Sequence, residues 1–233
     1  STLDETYAQF RQFNHTGLYE ADLKTISGDF ITKFDIGELA GGTIGMVLGA
    51  EYSHTSFDQL NDPESNALQI AGSAGGDNIN AERARKSAFF EMGLPFTEKL
   101  TTSIAGRYDE YSSSGIGSNF SPSINMAYRP TSWVLLRGTY GEGFRVGAFS
   151  QLYGNRSESF PSGVDVVGCA AGVAVCTPTQ YRTLAGGNPN LGPEESEHYT
   201  FGAVLSPLPE LTIQIGMWHT EYTGYITTNS LQR

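Results

Sequence analysis

The chain has 233 residues, enough for one large all-β domain, and its 28 glycines and 12% aromatic residues suit many strands and turns. Its 25 acidic and 14 basic residues leave a net charge of −11, which argues against nucleic acid or any other polyanion as a partner. The longest apolar run, near Val164 to Cys176, is interrupted by Asp165 and is too short for a transmembrane helix.

In chain order the pattern predicts successive hairpins. Residues 19–34 form a first strand of ambiguous phase, and residues 35–42 a turn. Residues 43–56 alternate cleanly: Ile44, Met46, Leu48, Ala50 and Tyr52 take one face, and Gly45, Val47, Gly49, Glu51 and Ser53 the other. Residues 57–85, rich in Gly, Asn and Asp, are expected to be a long loop. Residues 86–96 set Ala88, Phe90, Met92 and Leu94 against Ser87, Phe89, Glu91 and Gly93, and Thr97-Glu98-Lys99 turns the chain. Residues 100–111 return with Thr101, Ser103, Ala105, Arg107 and Asp109 on the polar side.

After a short loop over residues 112–117, residues 118–128 present Phe120, Pro122, Ile124, Met126 and Tyr128 against Asn119, Ser121, Ser123 and Asn125. Pro130-Thr131 is a predicted tight turn. Residues 132–144 rise with Val134, Leu136 and Tyr140 on the apolar side and Arg137 and Thr139 on the polar side. A loop over residues 145–194 follows, then a strand over 195–205, a turn over 206–210 and a strand over 211–225.

This reads as an all-β, antiparallel up-and-down meander of about eight long strands, part of a transmembrane β-barrel. Strands of a soluble sandwich average about 5–6 residues, whereas a tilted lipid-crossing strand needs about 9–11. The alternation of short turns with long loops agrees with a membrane barrel. Tyr52, Tyr108, Tyr128 and Tyr140 fall near strand ends, where an aromatic girdle belongs. Mean hydropathy is only −0.27, but alternating strands hide from that measure.

Two motifs are more specific. The first is Gly187-Asn188-Pro189-Asn190-Leu191-Gly192-Pro193-Glu194-Glu195-Ser196-Glu197-His198-Tyr199-Thr200-Phe201-Gly202. Its two prolines fix φ and remove donors, so the segment ends a loop before a strand begins. The second runs from Tyr128-Arg129-Pro130 through Trp133-Val134-Leu135-Leu136-Arg137-Gly138-Thr139-Tyr140-Gly141-Glu142-Gly143-Phe144-Arg145. Together they resemble the late barrel of TonB-dependent outer-membrane receptors. The first is similar to the pattern N-P-x-L-x-P-E-x-S-x-x-Y-x-x-G, the second to L-x-R-x-x-Y-x-x-x-F-R, with Val146-Gly147 where Ala-Pro is usual.

The resemblance implies one portion of a barrel of about 22 strands around a plug. The chain has no signal-peptide pattern, no plug-like region and no terminal aromatic strand, so an internal barrel piece is expected, one domain over residues 1–233. The implied function is uptake of a scarce extracellular solute across a Gram-negative outer membrane, energised through TonB. The solute could be a ferric siderophore, haem, cobalamin or an oligosaccharide. Implied partners are outer-membrane lipid, the plug, TonB and the solute. A passive porin-like barrel and a soluble all-β carbohydrate-binding or adhesion module are the alternatives.

No catalytic motif survives inspection, and no enzyme activity, cofactor or metal site is expected. His15, His54, His198 and His219 are scattered, and Asp77-Asn78-Ile79-Asn80 lacks the glycine of a calcium loop. Met46, Met92, Met126 and Met217 fall on the apolar phase. Glu51, Glu91, Arg107, Asp109, Arg137 and His198 would line the lumen, as solvated wall residues and ion pairs or as contacts to plug or solute. In the loops, Tyr153, Arg156, Tyr181 and Arg182 are candidates for solute contact or for loop packing. The oxidising surroundings that the family implies favour a local disulfide between Cys169 and Cys176 over paired thiolate metal ligands, which lack C-x-x-C spacing and a nearby histidine.

Overall fold

The computed structural model describes residues 14–67, 69–70, 77–112, 115–154, 157–174 and 176–228. Eight long strands form one antiparallel sheet: β1 (Tyr19–Leu39), β2 (Gly42–Asn61), β3 (Ile79–Thr97), β4 (Leu100–Tyr111), β5 (Ser118–Thr131), β6 (Val134–Arg145), β11 (Glu194–Leu208) and β12 (Leu211–Thr223). Each pairs with its neighbour in that order, so the meander and the fold class are as the alternation predicts. A short helix α1 (Pro63–Asn66) lies between β2 and β3. Between β6 and β11 come α2 (Phe149–Tyr153), β7 (Ser157–Ser159), β8 (Ser162–Gly163), α3 (Val166–Ala170), β9 (Thr179–Gln180) and β10 (Thr183–Ala185).

Register places the alternation on two opposite faces. Phe34, Met46, Met92, Ile104, Ile124, Tyr140, Tyr199 and His219 stand side by side across the strands on one of them. Ile44, Leu48, Phe90, Val134, Leu136, Phe201, Leu205, Ile213 and Ile215 share that face. A one-residue slip in any pair would have inverted its set, so the common face reflects seven consistent registers. The phase of β1 over residues 19–34 is ambiguous because both faces mix apolar and charged residues, Asp22, Lys24 and Phe30 on one and Leu23, Asp29 and Ile31 on the other. A register shift between Asp35 and Gly37 then leaves Ile36 as the extra residue of a bulge, which reverses the alternation over residues 37–39.

The apolar face is uncovered. Phe30 is 69% exposed, Ile215 64% and Met217 71%. Buried apolar side chains among the described residues are Ile79, Ile116, Phe149 and Leu152, at the loop end of the sheet rather than between layers. The accessible surface is 16121 Å², whereas a compact soluble monomer of 25.2 kDa would expose about 10,300 Å². A soluble module would need a second layer over this face, and the described residues supply none. Membrane lipid fits a large, continuous apolar face. No described helix is long and apolar enough to cross a membrane, which leaves crossing by strands open.

The strands outrun the sequence reading. Residues 57–61 extend β2 and residues 79–85 extend β3, so the expected loop over 57–85 shrinks to 62–78. The alternation persists there with polar residues on both faces, which is why composition resembled a loop. The turn expected at Pro130-Thr131 lies two residues later, at Ser132–Trp133, because β5 runs to Thr131. The long connection over 146–193 is not structureless: β7 pairs with β10 and β8 with β9.

The short connections (Ala40–Gly41, Glu98–Lys99, Ser132–Trp133 and Pro209–Glu210) lie together at one end. Their backbones are linked across strands: Gly41 N donates to the Pro95 carbonyl at 3.1 Å, Arg129 N to Lys99 at 2.7 Å and Ser206 N to Trp133 at 2.8 Å. Thr97 Oγ1 accepts from the Lys99 and Leu100 amides, which shapes its turn. The long connections occupy the opposite end.

Candidate functional site

The polar face carries a row of Glu51, Ser87, Asp109 and Asn119 on four adjacent strands. One pair toward the short turns lies Arg107, opposite Phe89 and Ser121, and one pair toward the long loops lies Arg85, opposite Ser53 and Tyr111. Two cations and two anions therefore interleave. Arg107 Nη2 donates to Glu51 Oε2 at 2.7 Å and to Ser87 Oγ at 2.8 Å, and its Nε donates to both oxygens of Asp109. Arg85 Nη2 donates to Glu51 Oε1, and Ser87 Oγ to Asp109 Oδ1. Asp109 is only 3% exposed, and its charge is held by Arg107 and the Ser87 hydroxyl.

This network rests on a close approach of ring to backbone. The Phe89 ring lies over Gly49, where any Cβ would overlap it, and the Arg107 guanidinium sits 5.6 Å from the ring centroid. Gly49 thus gives Phe89 the space on which Arg107 stacks.

Of the lumen set expected from sequence, Glu51, Arg107 and Asp109 come together, and the rest share the face but stand apart. Glu91 lies toward the short turns, opposite Val47, and is exposed. Arg137 lies across Gly202 of β11, its Nε 3.1 Å from where a Cβ would stand. His198 Nδ1 is 2.8 Å from Thr220 Oγ1. Arg85 and Arg83 were missed because the alternating Ala81, Arg83 and Arg85 were assigned to a loop that ended just before Ser87.

Arg83 anchors the long connection. Its Nη1 donates to the Gly147 carbonyl at 2.9 Å, and its guanidinium lies 4.8 Å from the Phe149 ring centroid and 5.8 Å from that of Tyr111. Phe149 stacks on Phe57 of β2 at 5.6 Å, and Leu152 is 2% exposed. Helix α2 is thereby packed onto the polar face at its loop end. Of the loop residues expected from sequence, Tyr153 rides on α2 beside Phe149, Tyr181 donates its amide to the Pro161 carbonyl, and Arg182 is exposed. Arg156 lies outside the described residues. Cys169 and Cys176 are joined by a disulfide that staples α3 to the turn after it, with Cα atoms 5.2 Å apart.

At the β2 end, Asp62 caps α1 and holds the segment before β1. Its carboxylate accepts from Ser65 N, Ser65 Oγ and Leu18 N, with His15 Nε2 at 2.8 Å. Those contacts, the Ser65 hydroxyl first, hold its pKa well below the ordinary carboxylate range. His15, Asp62 and Glu64 approach one another as metal ligands would. Because the Asp62 oxygens already serve these protons, the cluster is a cap.

Residues 1–233 match the family model described as TonB dependent receptor-like, beta-barrel. The chain is 29% identical over 129 residues to the probable TonB-dependent siderophore receptor PirA of Acinetobacter baumannii, a match covering 55% of this chain and 16% of that protein. It is 31% identical over 134 residues to a hemin receptor of Yersinia pestis, covering 52% of this chain and 18% of that one. The matched region is thus a small part of each relative. Among solved structures, the fold is similar to the siderophore receptor PirA from Acinetobacter baumannii, with TM-score 0.67 at 18% identity over 87% of this chain and 27% of that one. It is also similar to a mutant ferric enterobactin receptor PfeA of Pseudomonas aeruginosa in complex with enterobactin, with TM-score 0.66 at 19% identity over the same shares.

Proposed function

Since the chain belongs to the TonB-dependent receptor β-barrel family, we propose that it forms part of the wall of a Gram-negative outer-membrane receptor that imports a scarce solute with energy delivered through TonB. The observation that carries this reading is the pairing of an uncovered apolar face with a polar face bearing a closed ion-pair network. Lipid meets the first face, and the lumen lies behind the second. The short turns face the periplasm and the long connections the outside.

A ferric siderophore is the solute class favoured by the relatives' names, which include siderophore and hemin receptors. In the whole receptor, Glu51, Arg85, Arg107 and Asp109 meet the plug, with Glu91, Arg137 and His198 completing the wall toward it. Most of their charges are already paired within the wall, so plug contacts fall to the remaining guanidinium N–H groups. Residues 146–193, with Tyr153, Arg156, Tyr181 and Arg182, contribute to solute capture. No covalent chemistry is assigned to the chain.

The test is deletion of the outer part of the 146–193 connection, and separately of residues 62–78, from the full-length receptor. Iron-limited cells should lose siderophore uptake while the barrel still assembles in the outer membrane. Undiminished binding and uptake in both deletions would defeat the reading.

A further inference from the structure

Glu194, the glutamate of the N-P-x-L-x-P-E motif, is 6% exposed at the first position of β11. It faces two elements that are not neighbours in the chain. Its Oε2 accepts from Arg145 Nε, on the last residue of β6, at 2.5 Å, and its Oε1 accepts from the Ile226 amide, beyond the end of β12, at 2.7 Å. The chain reaches that amide by reversing at Gly224, whose φ is +65° and where a Cβ would stand 2.9 Å from the Pro193 carbonyl oxygen. The Ile226 side chain then lies over Gly147, the residue whose carbonyl Arg83 holds. Residues 226–228 and the connection (Ser150, Gln151, Gly154, Leu184, Asn188) enclose a cleft between them.

We propose that Glu194 is a positioning residue that fastens the segment after β12 to the base of the 146–193 connection, so that the two outer segments, to the second of which solute capture is assigned above, are held as one unit. The capture step rests on the function proposed above; the fastening does not. One carboxylate uses each oxygen for a different segment, and burial strengthens both bonds. Arg145 also fixes where that carboxylate sits, so losing Arg145 frees Glu194 to swing away from the Ile226 amide.

The experiment is amide hydrogen exchange on the full-length receptor in detergent micelles, without solute, comparing wild type with E194A, E194Q and R145A. E194A should lower protection of the Ile226 amide at least about tenfold, the scale of a hydrogen bond to a charged group. E194Q keeps an acceptor and should restore most of that protection. R145A should lower it several-fold while strand amides such as Phe201 stay protected, which also covers the case in which E194A fails to fold. Unchanged Ile226 protection in R145A would overturn the coupling, and unchanged protection in E194A the fastening itself. Either result would leave the uptake reading to stand or fall on its own deletions.

Discussion

Arg107 and Asp109 lie two residues apart on one face of β4, and Arg107 Nε reaches both carboxylate oxygens, at 3.0 and 3.1 Å. Alternation makes this pair possible, and the neighbouring Glu51 and Ser87 complete it. Replacing Arg107 with Ala leaves the nearly buried Asp109 carboxyl without its guanidinium and short of donors. The expected loss is about 2–3 kcal/mol, less than for a fully buried pair because Arg107 is one-third exposed. Urea unfolding of the full-length receptor in lipid vesicles measures it, and a loss below about 0.5 kcal/mol would mean that water replaces the guanidinium.

Gly49→Ala should displace the Phe89 ring and with it the platform under Arg107. The expected cost is about 1–3 kcal/mol, as for overpacking. If the clash is the cause, adding Phe89→Ala should make the double variant less costly than the sum of the singles. An additive cycle would separate the ring from the glycine.

The two faces should respond oppositely to one change. Met92→Arg puts a charge on the outer face near mid-strand and should cost about 2–4 kcal/mol in vesicles. Ser103→Arg, on the polar face one strand away, should cost much less. Equal penalties would contradict the facing.

Reduction of the Cys169–Cys176 bridge should leave the barrel's unfolding unchanged but remove about 2–3 kcal/mol of local order in the chain-entropy model. Protease cleavage within 166–176 before and after reduction reports it, compared with Cys169→Ser.

The pH response of the Asp62 cap follows from its sign. Its pKa is depressed in the folded state, so its contribution is fully present above the unfolded value of about 3.9 and is lost as pH falls through the lower folded value. Exchange protection of the Leu18 and Ser65 amides should hold from neutral pH to about 5, then weaken in acid once corrected for intrinsic rates. Asp62→Asn should weaken it at all pH values. Protection that already falls between pH 7 and 5 would mean that the Asp62 carboxylate is not what holds these amides.

Strand order and facing were legible because period-two alternation is local and lipid demands it over long runs. Loop boundaries were not. Above the apolar band both faces of β2 and β3 meet water, so Asp58, Asn80 and Glu82 carry no phase signal, and Arg83 and Arg85 were lost with them. The grouping of Glu51, Arg107 and Asp109 depends on the offset between strands, which spacing within one strand does not contain. The motif around Glu194 was legible as a pattern; its two bonds required the positions of Arg145, forty-nine residues before it, and of Ile226, thirty-two residues further on.

Seven strand-to-strand pairings hold the sheet, and all but one join strands separated by a short or moderate link. Pairing β6 with β11 must close the span from Arg145 to Glu194, a sequence separation of 49. Relative to a two-residue turn this costs roughly 3 kcal/mol more in chain entropy. Assembly should therefore proceed from two preformed pieces, a six-strand ribbon from β1 to β6 and the β11–β12 hairpin. Their docking is the late, slow event, and Arg145 and Glu194 stand where that seam begins.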